Sequence, residues 1–281
     1  MFNFEICVII ASTGDNMITI SEAGNRKLNG INKDDIFVVA DFDRTITTGD
    51  SKATFALFSL SGLYGSDYER ERTVVHDYYR PIELDESLGY IEKYELMKEW
   101  ALESYKLMLK YKVRESDIET IVKQKRFLNL RSGAVEFINM LNDLGIPLII
   151  NSAGIGNFIE CILKLNWCYS DNVFISANFL EFKDDIIVDS ISDIIHSMNK
   201  NIIRLKDEDK YKLYGRPLGI LIGDQLSDLN MDHCLPNQYN LTFGFLESNI
   251  QENEELFKKN FDVVLQDSES FDTIGKLLRL K

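Results

Sequence analysis

No apolar run in this chain approaches the ~20 residues that a bilayer-spanning helix needs. The amino-terminal stretch Phe2–Ala11 is apolar, but it carries Glu5 and lacks a basic leader region. It reads as a strand or packing segment, not as a secretory leader. Cysteine is scarce: Cys7, Cys161, Cys168 and Cys234 form no Cys-x-x-Cys pair, which suits reduced thiols in a cytoplasmic protein. His76, His196 and His233 have no metal-type spacing and read as structural or surface groups. Positive charge is in deficit too, with 31 basic against 45 acidic residues and a formal net charge of −14. That balance repels nucleic acid and anionic membrane surfaces and argues against both as partners. A small anionic substrate would need a local positive device: a metal ion, a lysine or a helix N-terminus. Repeats, low-complexity tracts and long linkers are absent.

What is present suffices for a real core, with 45% hydrophobic and 11% aromatic residues. The run Ile36–Ala40 is short, apolar and β-branched, as a buried strand of a parallel sheet should be. Asp41 and Asp43 follow at its carboxyl end. Residues two apart on a strand leave on the same side. Two carboxylates so placed repel unless a cation or a shared proton offsets the charge. Aspartate also begins loops and caps helices, so the pair has to be weighed with the rest of the chain.

Residues 1–35 read as an extension, with a short helix from Ser21-Glu22-Ala23 to about Gly30. From Ser51 to Leu130 no strand is expected. Helical periodicity covers Lys52–Leu60, Asp67–Tyr79, Glu92–Tyr111 and Glu115–Gln124, with Pro81 making Tyr78–Glu83 irregular. Strands and helices then alternate. A helix over Ala134–Leu144 leads to a strand at Pro147–Asn151 and a turn at Ser152–Asn157, with the next helix starting near Phe158. Strands follow at Val173–Ser176, Ile186–Val188, Leu218–Ile222, Asn240–Gly244 and Asp262–Leu265, and a helix at Phe271–Leu280 closes the chain. The pattern predicts an α/β fold, a Rossmann-like three-layer sandwich around a mostly parallel sheet. Its core would comprise residues 1–47 and 131–281, with 48–130 as an inserted helical cap.

Polar residues gather at strand ends: Asp41 and Asp43 after one, Ser152 after a second, Asp224 and Asp228 after a third. Successive parallel strands end on one edge of a sheet, so these groups can converge. Asp41-Phe42-Asp43-Arg44-Thr45, Ser152 and Gly223-Asp224-Gln225-Leu226-Ser227-Asp228 resemble the first, second and fourth signatures of the haloacid dehalogenase-like hydrolases. Lys200, preceded by Asn199, is the candidate for the lone lysine of the third, ahead of Lys206, Lys210 and Lys212. Further stretches narrow the resemblance to the cytosolic pyrimidine 5′-nucleotidase family, over Ile36 to Asp267. They are Ser152-Ala153-Gly154-Ile155-Gly156, Asn199-Lys200, Gly223-Asp224-x-x-x-Asp228-Leu229-x-Met231, Tyr78-Tyr79-x-Pro81-Ile82-Glu83 and Glu99-Trp100-x-x-x-Ser104.

The resemblance implies a Mg²⁺-dependent phosphomonoesterase working through an aspartyl-phosphate on Asp41, with Asp43 as acid and base. It implies Mg²⁺ held by Asp41, the Asp43 carbonyl and Asp224, with Asp228 as ligand or support. Phosphate would meet Ser152, the Ala153 and Gly154 amides and Lys200, while Thr45 fixes the loop and Glu83 and Ser104 reach the nucleobase. The implied substrate is a nucleoside 5′-monophosphate (CMP, UMP or 7-methyl-GMP), and the implied protein is a cytoplasmic monomer or weak homo-oligomer. The resemblance breaks at residues 48–77, unlike the vertebrate cap, and at Ala101, where the family has a second aromatic for stacking. Phe55, Phe58 or Tyr64 would have to supply that face. The alternatives are a phosphatase of another small metabolite and a catalytically idle nucleotide-binding protein. An idle site has no reason to keep the full set Asp41, Asp43, Ser152, Lys200 and Asp224.

Overall fold

The computed structural model describes residues 9–10, 18–85, 87–191, 193–201, 203–231, 233, 235, 237–246 and 251–280. In chain order the strands are β1 (Ile9–Ile10), β2 (Thr19–Ile20), β3 (Ile36–Ala40), β4 (Leu148–Ile155), β5 (Val173–Asn178), β6 (Glu181–Lys183), β7 (Ile186–Val188), β8 (Leu218–Gly223), β9 (Tyr239–Leu246) and β10 (Val263–Gln266). The main sheet runs β1-β2-β10-β9-β8-β3-β4-β5. Every pairing from β10 to β5 is parallel, and β2 and β1 extend that edge antiparallel. Apart from Ile9–Ile10, the expected strand Phe2–Ala11 lies outside the described residues.

The helices are α1 (Glu22–Asn29), α2 (Leu57–Leu60), α3 (Ser66–Leu84), α4 (Tyr90–Tyr111), α5 (Ser116–Lys123), α6 (Ala134–Asp143), α7 (Gly156–Leu165), α8 (Asp207–Lys210), α9 (Gln251–Asn260) and α10 (Phe271–Leu277). All five residues of β3 are buried, and alternate side chains go to opposite faces. Ile36, Val38 and Ala40 join Phe137, Leu141, Phe271 and Ile274 of α6 and α10 on one side. Phe37 and Val39 join Ile149, Leu213, Leu221 and Met231 on the other. Burying a Val, Leu or Ile side chain contributes roughly 1.5–3 kcal/mol, so a strand apolar on both faces is satisfied only between two layers.

Helices α2 to α5 lie between β3 and β4. Two aromatic pairs bind α3 to α4: Tyr68 stacks on Tyr111 (4.5 Å between ring centroids) and Tyr79 on Trp100 (6.1 Å). The pairs run in opposite order along the two helices, as antiparallel packing requires. The segments that lead into and out of this stretch run side by side. Thr47 bridges Leu130, Thr48 N donates to Asn129 O (2.9 Å), and Arg131 N donates to Ile46 O (2.9 Å).

Three expectations need correction. Tyr78–Glu83 is not irregular, because α3 continues through Pro81 to Leu84. Proline removes one hydrogen bond and crowds the carbonyl four residues back. The carbonyl left without a donor is that of Asp77, which is exposed and so open to water, and Tyr79 is anchored on Trp100. Similarly, Ser152–Ile155 is not part of a turn but the end of β4, past a register shift, and α7 begins at Gly156 rather than near Phe158. Last, Ile186–Val188 is a strand with the expected bounds, but it stands outside the main sheet as one arm of a hairpin with Glu181–Lys183. Its two-residue turn is Asp184-Asp185, both at positive φ (50° and 69°), the conformation that a tight hairpin needs. The hairpin docks on the helical stretch: Ile187 N donates to Val113 O (3.0 Å) and Tyr105 Oη to Val188 O (3.0 Å).

Candidate active site

Asp41 leaves β3 at the carboxyl edge of the sheet and is buried, 3% exposed. Its neighbours follow from the sheet order, since β3 lies between β8 and β4. Asp224 and Asp228 therefore arrive beside it after β8, and the end of β4 brings Ser152. Lys200 comes in on the connection after β7. Its ammonium lies 2.8 Å from Asp41 Oδ1 and 2.8 Å from Asp228 Oδ1. The competing lysines stand elsewhere: the Lys206 side chain is 79% exposed, Lys210 pairs with Asp207, and Lys212 donates to Asp171 O.

The turn Phe42–Ile46 carries Asp43 outward, with Arg44 in the left-handed region at φ 68°. Thr47 Oγ1 accepts from Arg44 N (2.8 Å), and Thr45 Oγ1 donates to Asp224 Oδ1 (3.3 Å). The Asp43 carboxylate accepts from Thr54 N at 3.1 Å to each oxygen and from Thr54 Oγ1 at 3.1 Å. Thr54 Oγ1 in turn accepts from Ile155 N (2.9 Å), which ties the helical stretch to the end of β4. Gly154 is required there. A Cβ would lie 2.0 Å from Thr54 Oγ1 and 2.9 Å from Asp43 Oδ2. Ser152 is buried and its hydroxyl accepts from Gly154 N (3.0 Å), while Ala153 is half-buried beside it.

Asp228 is fully engaged by the protein. Oδ2 accepts from Asp224 N and Gln225 N, both at 3.0 Å, and Oδ1 faces Lys200. Gly223 lets that carboxylate approach, since a Cβ would lie 2.4 Å from Asp228 Oδ2. One oxygen from each of Asp41, Asp224 and Asp228 can lie within 4.8 Å of the others, and among the described residues this is the one such acidic group. Three carboxylates against one ammonium leave excess negative charge on hard oxygen donors, which fits a hard divalent cation.

The electrostatics agree. Burial and then the Asp41 charge push the Asp43 carboxyl up to about 7. Burial also raises Asp41, although Lys200 beside it acts the other way. Asp224 is raised well above the usual range by burial, then by Asp228 and Asp41. Burial works against the Lys200 ammonium, but Asp228, Asp41 and Asp224 outweigh it and hold it above the usual lysine range.

Glu83 sits in the last turn of α3, paired with Arg80. Both line a cavity of about 240 Å³ with Arg44, Lys93, Met198 and Asp224, so the carboxylate of the helical stretch and that of the sheet edge face one space. Ser104 is half-buried on α4 and is not among the residues lining it. Phe58 does not offer a stacking face there, because it is fully buried against Phe158 and Tyr64. Tyr64 spends its hydroxyl on Asp117 and Arg114 N. A larger hollow of about 630 Å³ between α6 and α10 contains none of the expected site residues.

A family model described as pyrimidine 5′-nucleotidase (UMPH-1) matches residues 42–280. The chain belongs to that family. It is 31% identical over 252 residues to the 7-methylguanosine phosphate-specific 5′-nucleotidase of Drosophila melanogaster, covering 86% of this chain and 79% of that one. A crystal structure of cytosolic 5′-nucleotidase IIIB bound to cytidine superposes with a TM-score of 0.83 at 28% identity, covering 95% of this chain and 94% of the other. A phosphoserine phosphatase, at 16% identity and a TM-score of 0.51 over 85% of this chain and 97% of its own, shares the fold. The chain thus has the haloacid dehalogenase-like α/β architecture.

Two residues that hold Asp43 and its turn escaped the sequence. Thr54 holds Asp43, and the expected helix over Lys52–Leu60 marked its backbone but not that contact. Arg131, 3% exposed, donates from Nε to Thr45 O (2.8 Å) and from Nη2 to Arg44 O (2.6 Å). An arginine just before Ser132-Gly133 carries no signal of that role.

Proposed function

We propose that this protein is a Mg²⁺-dependent phosphomonoesterase that hydrolyses nucleoside 5′-monophosphates. The observation that carries the reading is the meeting of Asp41 and Lys200 at one sheet edge, with Asp43 poised near 7 on the turn that follows and Asp224 of the same edge lining a cavity that also reaches Glu83. The names of the relatives support the substrate class.

An Asp41 oxygen attacks phosphorus. The P–O5′ bond breaks as the Asp43 proton passes to the leaving oxygen, and the nucleoside departs from an aspartyl-phosphate. Asp43, now ionised, takes a proton from water as that water attacks phosphorus, which frees phosphate and Asp41. Lys200 orients Asp41 and stabilises the transferring charge, and Ser152 with the Ala153 amide receives phosphate oxygens, while the Gly154 amide, which donates to Ser152 Oγ, orients that hydroxyl. Asp41, the Asp43 carbonyl and Asp224 would hold the cation, while Asp228 orients the Asp224–Gln225 turn. When bound, Mg²⁺ offsets the repulsion between an anionic nucleophile and an anionic phosphate. Residues 48–130 serve as the cap, and Glu83, held by Arg80, reads the base. The reading extends to a cytoplasmic location, in keeping with the relative named cytosolic, and to a monomer or weak homo-oligomer.

The test is phosphate release from a panel of monophosphates, with Mg²⁺ or with EDTA, for wild type and Asp41→Asn. Metal-dependent turnover of CMP, UMP or 7-methyl-GMP that vanishes in the variant is expected. Turnover of sugar or amino-acid phosphates alone would keep the mechanism and discard the nucleotide. No turnover of any ester in a folded sample would overturn the enzyme.

A further inference from the structure

We propose that Arg131 is a positioning residue: its guanidinium fixes the turn that carries Asp43 and so places the proton donor against the leaving oxygen. The inference rests on the phosphomonoesterase reading above.

The turn needs outside support. A non-glycine residue in the left-handed region costs on the order of 1–2 kcal/mol, and Arg44 sits there at φ 68°. Such a turn directs its carbonyls away from any helical partner, so they require donors from elsewhere. Arg131 supplies them to Thr45 O and Arg44 O, the two carbonyls directly after Asp43. Its remaining donors anchor the other end: Nη1 donates to Asp267 O, and Nη2 lies 2.8 Å from Asp267 Oδ1. The guanidinium lies over the Phe245 ring, 3.9 Å from its centroid. Its planar fork therefore bridges the end of β10, the face of β9 and the turn after β3.

Stability alone does not account for this group. Arg131 has a side chain 2% exposed, its ion-pair partner is 28% exposed, and a buried pair commonly stabilises less than apolar residues of equal volume. What an apolar residue cannot supply is donors for the Arg44 and Thr45 carbonyls. Arg131 is also absent from the lining of the cavity shared by Asp224 and Glu83. It acts on the reaction through the turn. Asp43 is thus held twice: Thr54 fixes its carboxylate and Arg131 fixes the backbone that follows it.

The test compares Arg131→Lys and Arg131→Ala on two esters, CMP and 4-nitrophenyl phosphate. A nucleoside alkoxide is a poor leaving group that needs the Asp43 proton, whereas nitrophenolate leaves with little help. Misplacement by about 1 Å can cost roughly 10²-fold. Arg131→Lys, which keeps the charge and loses the fork, is therefore expected to lower kcat/KM for CMP, which reports the steps up to departure of the nucleoside, by about 10²-fold. For the aryl ester kcat/KM should fall less than about tenfold; the comparison is made in kcat/KM because kcat also contains the hydrolysis of the shared aspartyl-phosphate, where Asp43 acts as base for both esters. Added guanidinium at tens of millimolar should partly restore CMP turnover in Arg131→Ala.

Equal losses of kcat/KM on both esters, or a lowered Tm with unchanged kcat/KM in the folded enzyme, would overturn the proposal. Should both variants fail to fold, Asp267→Asn loosens only the anchor and should show the same ester-dependent pattern more weakly; a uniform effect there would overturn it too. Wild type inactive on both esters would instead sink the phosphomonoesterase reading itself.

Discussion

The sheet edge and the last turn of α3 both present carboxylates to one cavity, yet they are built differently. At the edge, Asp41, Asp228 and Lys200 have side chains 5%, 1% and 7% exposed, and the ammonium joins two carboxylates that are far apart in sequence. On α3, Glu83 is held by Arg80 of the same helix, at 14% and 26% exposure. The edge is pre-organised by the whole core, so it is suited to bond breaking, which tolerates little displacement. The α3 turn is held locally and more openly, which suits it to the proposed contact with the part of the ester that varies between substrates.

Removing the charge that unites the edge should do the most damage. Lys200→Ala is expected to lower kcat by about 10²–10³-fold and to destabilise the fold by roughly 3 kcal/mol, because Asp41 and Asp228 are left buried without their cation. Steady-state kinetics and thermal melts would check both. An active, stable variant would mean that the edge is less pre-organised than its contacts indicate.

Gly154→Ala probes the same edge by crowding. The added methyl must displace Thr54 Oγ1, so activity should fall about tenfold to a hundredfold, with roughly 1–3 kcal/mol of stability. Wild-type kinetics in this variant would mean that Thr54 does not hold Asp43 during turnover.

A pH profile reads Asp43 directly. Leaving-group protonation needs the protonated carboxyl, which burial raises to about 7. kcat/KM for nucleotides should therefore hold below that pH and fall about tenfold per unit above it. A limb near the ordinary carboxylate pKa would remove Asp43 from the role of acid.

On the α3 side the effects should be smaller. Glu83→Ala should raise KM for nucleotides about tenfold and leave 4-nitrophenyl phosphate nearly unchanged. A matching loss on both esters would make Glu83 structural. Ser104→Ala should change KM for nucleotides by less than about twofold, given its place away from the cavity. A change as large as that of Glu83→Ala would put Ser104 back in contact with the base.

The same contrast governs what the sequence disclosed. Ile36–Ala40 and Leu218–Ile222 were legible because parallel strands buried on both faces must be apolar throughout, and the aspartates after them break that run abruptly. Lys200 was selected over its neighbours through Asn199, whose side chain does shape that loop by accepting from His196 N and donating to Ile194 O. Thr54 and Arg131 stayed hidden because their partners are set by three-dimensional packing: Thr54 meets Ile155, and Arg131 meets Arg44, Thr45 and Asp267. The helix through Pro81 and the Asp184-Asp185 hairpin were missed for a related reason. In each, packing overrode a local preference: Trp100 anchors Tyr79, and Val113 and Tyr105 receive the hairpin.

The pairing of Thr47 with Leu130 has a consequence for how such proteins diversify. Both ends of the helical stretch leave the sheet side by side, so the closure cost depends only weakly on what lies between them. Doubling a flexible loop adds about 0.6 kcal/mol. Helices can be exchanged, lengthened or lost between those two points without moving β3 against β4. Substrate range can therefore drift while Asp41, Lys200, Asp224 and Asp228 keep their geometry at the sheet edge, provided the entering segment retains Thr54 against Asp43.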